Sequence, residues 1–182
     1  MTKIKICGIK TLPDARAAIE AGVDLLGFNF YPKSVRCIDV QTCVQITSYL
    51  RKESPSVPLV GVFVNSSLDE INRNLQICSL DLAQLSGDES PEFRAALGDK
   101  AFKSFHGTAD PKVQSYARSS APAFLVDGGV SGSYGGTGVA ADWSSTAKLA
   151  RIYRLLLAGG LTPENVAAAV KRVRPWGVDV AS

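Results

Sequence analysis

Eight short apolar runs recur along this chain of 182 residues, and a helix-like segment follows each of the first seven. That alternation leaves few folds open, because a strand that returns to its sheet through a helix runs parallel to its predecessor. The strand-like runs fall at 4–8, 25–30, 58–64, 82–85, 101–105, 123–127, 155–158 and 177–181. Capping chemistry marks where several helices begin. Thr11 precedes 15–21, Asn65-Ser66-Ser67 precedes a helix through Cys78, and Ser90 with Pro91 opens one that Gly98 ends. Thr162-Pro163-Glu164-Asn165 opens another that runs to about Val173, and the remaining helices are expected at 40–51, 111–118 and about 144–151.

Parallel βαβ units numbering eight are what closes a barrel. An open doubly wound sheet alternates in the same way, but no GxGxxG follows the first strand and no switch point is evident. The expectation is therefore a single α/β domain over residues 1–182, an eight-stranded parallel (β/α)8 TIM barrel. It is expected to be C-terminally incomplete, because no eighth helix follows Val180-Ala181-Ser182. No linker, low-complexity tract or short repeat divides the chain.

Charge excludes some classes of partner. Twenty basic and 17 acidic residues are interspersed, so the net charge of +3 marks neither a nucleic-acid surface nor a polybasic membrane patch. It suits an anionic small molecule. The amino terminus has no signal-peptide core and no run approaches a membrane span, so a cytoplasmic protein is expected. Cysteines at 7, 37, 43 and 78 show no metal-ligand spacing and the one histidine is His106, which argues against structural zinc.

A barrel builds its site at the C-terminal ends of its strands. Those ends carry Cys7, Arg36, Gln84 and Ser86, Asp127, and the glycines Gly159 and Gly160. Two readings of Cys7 stand: an inert small apolar residue, the commoner case, or a thiol activated by Lys5, which alternation puts on the same side at roughly 6.6 Å. Asp127 ends the apolar run Ala123-Phe124-Leu125-Val126, where lost hydration would fit it to donate a proton; equally, it can cap the turn before Gly128-Gly129. Arg36 is either a solvated loop residue or a bidentate carboxylate binder. Paired glycines before a helix, as in Ala158-Gly159-Gly160-Leu161, offer amides to an anion such as phosphate. The glycine-rich 128–138 connection is either a loop that closes over a ligand or an ordinary surface loop. His106 reads as an ordinary histidine, and Trp143 and Trp176 read as packing residues.

Taken together, the motifs resemble phosphoribosylanthranilate isomerase. The matching segments include Lys5-Ile6-Cys7-Gly8-Ile9, Gly27-Phe28-Asn29-Phe30-Tyr31-Pro32-Lys33-Ser34, Gly61-Val62-Phe63-Val64-Asn65 and Gln84-Leu85-Ser86-Gly87-Asp88-Glu89. Further along come Gly135-Gly136-Thr137-Gly138, Asp142-Trp143, the run from Leu157 through Gly159-Gly160 to Val166, and Val178-Asp179-Val180. Each is weak alone, but their order across the whole chain is specific. The resemblance implies an Amadori rearrangement in tryptophan biosynthesis, without cofactor or metal, in a monomer or weak homodimer acting on a phosphorylated small molecule. It assigns Cys7 as general base, Asp127 as general acid and Arg36 to the anthranilate carboxylate; Gln84, Gly159, Gly160 and Ser182 are expected to bind substrate as well. Lys5 would be costly unpaired inside a barrel, and Asp179 on the last strand is its expected partner. Lys5 is also expected to lower the pKa of the thiol. Ser86 stands where the family usually has histidine, and Val35 and Cys37 flank the arginine in place of proline and an aromatic residue. Ser86 and the missing carboxyl end leave an alternative, a catalytically impaired phosphate-binding barrel. Related barrels of histidine and indole-glycerol phosphate metabolism place a carboxylate or lysine where Cys7 stands, which argues against them.

Overall fold

A computed structural model of the chain describes residues 1–106, 113–129 and 141–181. Eight parallel strands close into a barrel in simple sequence order. They are β1 (Lys3–Cys7), β2 (Leu25–Asn29), β3 (Leu59–Phe63), β4 (Leu82–Leu85), β5 (Ala101–His106), β6 (Leu125–Asp127), β7 (Leu156–Leu157) and β8 (Gly177–Val180). The helices are α1 (Leu12–Glu20), α2 (Val40–Glu53), α3 (Leu68–Ile77), α4 (Pro91–Ala96), α5 (Val113–Tyr116), α6 (Trp143–Ala150) and α7 (Val166–Val173). Among the described residues no helix follows β8. β7 is shorter than its apolar run suggests, yet Ala158 N donates to Val126 O and Ala123 N to Arg154 O, which carries the ladder past the strand's formal ends.

The caps read from sequence at three helices are present, but Thr162 does not cap the last one, which starts only at Val166 after Asn165. Thr11, Ser67 and Ser90 each accept a hydrogen bond from the backbone N–H three residues on, and Asp39 does the same for α2. Asn165 departs from the pattern. It makes no side-chain cap bond; its amide instead donates to Gly160 O at 2.8 Å and accepts from Thr162 N at 2.9 Å, which shapes the loop after β7.

Both faces of the sheet are covered, as a parallel sheet requires. Outside, Leu26, Phe28, Leu59, Phe63 and Leu85 pack beneath the first helices, and Phe124, Val126, Leu155 and Leu157 pack beneath the later ones. Inside, Leu25, Val60, Phe102, Leu125 and Leu156, with Trp176, make an apolar floor. The period of two that fills the floor carries polar residues to the mouth: Gln84 follows Leu82, Ser104 and His106 follow Phe102, and Asp127 follows Leu125.

Two buried ion pairs lie among these layers. Closure sets Lys5 of β1 beside Asp179 of β8, and the expected pair forms at 2.6 Å with the lysine side chain 0% exposed. No signal in the sequence announces the second pair. Lys103, on the outer face of β5, meets Glu89 at 2.8 Å and also donates to the carbonyls of Leu85 and Gly87. Glu89 in turn accepts from the amides of Asn65 and Gly87, so one carboxylate ties together the loops after β3 and β4. Lys103→Met leaves Glu89 buried without its cation, at a cost of about 3–5 kcal/mol. At about 2–4 °C per kcal/mol for a domain of this size, Tm falls by on the order of 10 °C in scanning calorimetry.

Candidate active site

Cys7 ends β1 at the barrel mouth, and two glycines make room for its surroundings. A Cβ on Gly27 of the neighbouring strand would lie 2.7 Å from Cys7 Sγ and 3.1 Å from Lys5 Nζ, so the space that a side chain would fill holds the thiol and the ammonium. Gly8 has φ +89°, and a Cβ there would meet Arg36 Cδ at 2.5 Å. The arginine thus crosses the turn after Cys7 at close range, and its guanidinium donates to Ala181 O at 3.3 Å. Its approach is set by Ser34, whose hydroxyl accepts from Arg36 N and from Asn29 Nδ2 at the end of β2.

Lys5 does not make Cys7 acidic. Burial pushes the thiol up; Lys5 pulls it down, Asp179 pushes it up again, and the net direction is upward. Proximity along β1 accounts for the ammonium but not for the carboxylate 2.6 Å from it or for the loss of water around sulfur. For Lys5 itself, burial favours the neutral form, but Asp179 and Cys7 outweigh it and its pKa rises.

Asp127 ends β6, where it makes a turn contact and also faces the cavity. Its Oδ1 accepts from Gly129 N at 3.1 Å, a turn contact, while the carboxyl faces the same cavity as Cys7, Gln84 and Ser86. Burial raises its pKa above the ordinary 3.8, opposed by His106 and the Gly129 amide. Gln84 is buried and donates to Ser86 Oγ at 3.1 Å; its Oε1 has no partner among the described residues. Ser86 therefore belongs to the cavity wall.

His106, which reads as an ordinary histidine from its sequence neighbours, belongs to this site. It ends β5 opposite Asp127 in register, and its Nδ1 lies 4.0 Å from Asp127 Oδ2. The usable signal was its place in the inward-facing series Phe102, Ser104, His106.

Beside this cavity a second one, of about 320 Å³, opens between the ends of β7 and β8. Gly159 and Gly160 line it at φ +88° and +58°, with Thr162, and Arg36, Asp127 and Asp179 border both cavities. Ser182 and residues 130–138 of the glycine-rich connection lie outside the described residues. Among the described residues no group of three His, Cys, Asp or Glu side chains could hold a metal ion, and no helix is long and apolar enough to cross a membrane.

A closed (β/α)8 barrel with a thiol, a carboxyl and a guanidinium around one cavity and a glycine-lined second cavity beside it defines the class as a barrel enzyme of acid–base type. Comparison with known proteins narrows this. Residues 4–182 match the family described as N-(5'phosphoribosyl)anthranilate (PRA) isomerase. The N-(5'-phosphoribosyl)anthranilate isomerase of Citrifermentans bemidjiense is 43% identical over 182 residues, all of this chain and 87% of that protein. The Thermus thermophilus phosphoribosyl anthranilate isomerase structure superposes with TM-score 0.84 at 36% identity, over 99% of this chain and 87% of that one. A further structure of the family, in complex with reduced 1-(o-carboxyphenylamino)-1-deoxyribulose 5-phosphate, gives TM-score 0.79 at 32% identity over 100% and 88%.

The chain belongs to the phosphoribosylanthranilate isomerase family. It is the isomerase of tryptophan biosynthesis that converts N-(5-phosphoribosyl)anthranilate to 1-(2-carboxyphenylamino)-1-deoxyribulose 5-phosphate. The alternative of an impaired barrel finds no support in these relatives.

Asp127 carries a stability cost whose sign follows from its burial. With a folded-state pKa above 3.8, the group favours folding when protonated, and that contribution is lost as pH rises through the folded value. Asp127→Asn therefore raises Tm at pH 7, by about 2–4 °C for each kcal/mol relieved. The gain disappears near pH 3, which thermal melts across pH will show.

Proposed function

We propose that Cys7 and Asp127 divide the proton transfers of the rearrangement, with Arg36 and the Gly159-Gly160 loop holding the two anionic ends of the substrate. One observation carries this: the ends of β1 and β6 face a single cavity, and Arg36 borders both that cavity and the glycine-lined one. The guanidinium pairs with the anthranilate carboxylate. The Gly159 and Gly160 amides, with Ser182, take the phosphate. Gln84 Oε1 accepts from a substrate hydroxyl.

Asp127 enters as the neutral acid, which its burial favours. It protonates the furanose ring oxygen; the C1–O bond breaks with its electron pair on oxygen, and the nitrogen lone pair forms the iminium. The Cys7 thiolate then removes the C2 proton to give the enolamine, which tautomerises to the ketone. Burial makes that thiolate scarce in the free enzyme. The positive charge of the iminium forms beside it, and with Lys5 favours the thiolate when it is needed. Free thiols at all four cysteines fit a reducing cytoplasm.

Cys7→Ala and Asp127→Asn should each lower kcat by about 10²–10⁴-fold with freshly made phosphoribosylanthranilate. Activity that survives both substitutions would sink the assignment. Because the thiol must ionise, kcat/KM of the wild type should climb with pH through the alkaline range. Lys5→Met removes the group that pulls the thiol down and should move that limb to higher pH; an unmoved profile would count against Lys5 as activator.

A further inference from the structure

His106 has neither a packing explanation nor a place in the steps above. Both of its ring nitrogens are buried and unpartnered among the described residues, which costs free energy unless something in the working site meets them. Its side chain lines the cavity that holds Cys7 and Asp127, 12% exposed, and Nδ1 stands 4.0 Å from Asp127 Oδ2. The opposite carboxylate oxygen is held by Gly129 N, so Oδ2 is the edge turned toward the imidazole. The other charged or titratable groups bordering this cavity are Cys7 from β1, Tyr31 and Arg36 beyond β2, and Asp179 from β8; Gln84, Ser86 and Ser104 complete the polar wall without charge.

We propose that His106 is a proton carrier for Asp127, returning to it the proton that it gives to the ring oxygen. The inference rests on Asp127 being the general acid. After ring opening Asp127 is a carboxylate, and Cys7 holds the proton taken from C2. Collapse of the enolamine needs one proton delivered to C1 and one removed from the C2 hydroxyl. The Cys7 thiol supplies the first and regains its charge. Neutral His106 accepts the second: the O–H bond breaks, its electron pair forms the C2 carbonyl, and a new N–H bond makes the imidazolium. The imidazolium then passes its Nδ1 proton to Asp127 Oδ2, and the N–H electron pair stays on nitrogen. Asp127, Cys7 and the neutral imidazole are restored with no net proton from solvent; because the hydroxyl proton enters at Nε2 and the Nδ1 proton leaves, exchange of the imidazole tautomer completes the cycle. A separation of 4.0 Å is one side-chain adjustment from a hydrogen bond, and such contacts tighten when substrate fills a site.

The chain has one histidine, so its imidazole gives a single set of ¹⁵N resonances. A proton passed between Nδ1 and Asp127 changes the Nδ1 resonance when product fills the cavity, and in Asp127→Asn that change should be absent. A change of the same size in Asp127→Asn as in the wild type would overturn the proposal without requiring any His106 variant to fold. In His106→Gln, kcat should fall on the order of 100-fold with KM nearly unchanged. A raised KM with wild-type kcat would mean that His106 binds a substrate hydroxyl, and would overturn the relay. Loss of turnover in Asp127→Asn beside wild-type kcat in His106→Gln would overturn the relay alone. Full turnover in Asp127→Asn would remove the acid and the relay together.

Discussion

The ion pair between Lys5 and Asp179 joins the first strand to the last inside the barrel. A fully buried ammonium is tolerable only beside a carboxylate held at hydrogen-bonding distance, so this pair needs the barrel to close in the observed register. The thiol above it inherits the consequence. Cys7 lies among Lys5, Asp179 and the gap left by Gly27, so its readiness to ionise reflects a balance of burial, cation and anion.

The same economy of space recurs at the mouth. Gly8 lets Arg36 lie across the turn after Cys7, while Ser34 and Asn29 fix the loop that carries the arginine. Opposite them, the Glu89 and Lys103 pair fastens the loops after β3 and β4 from outside the barrel. The polar wall of Gln84 and Ser86 therefore stands on a braced strand end. Binding groups that must be placed to within a fraction of an ångström need such support.

Much of the fold was legible because its signals are local. Period-two alternation, caps such as Thr11, Ser67 and Ser90, and the count of eight strands are properties of short segments. The candidate site was legible where a residue's place at a strand end was enough, as for Cys7, Arg36 and Asp127. His106 escaped because nothing beside it in sequence suggests chemistry; Asp127, its neighbour, lies 21 positions away and meets it only through strand pairing. Lys103 escaped for a similar reason, since a lysine within an apolar strand declares no partner until the following loop folds back.

The sequence by itself determined the alternation, the barrel and its family, and even the pairing of Lys5 with Asp179, because strand order in a closed barrel makes first and last neighbours. The state of the thiol was decided only in three dimensions. Proximity along one strand predicted that Lys5 would lower the Cys7 pKa, but burial and Asp179 together reverse that direction. Desolvation and the sum of charges around a group depend on everything packed about it, which no stretch of sequence contains.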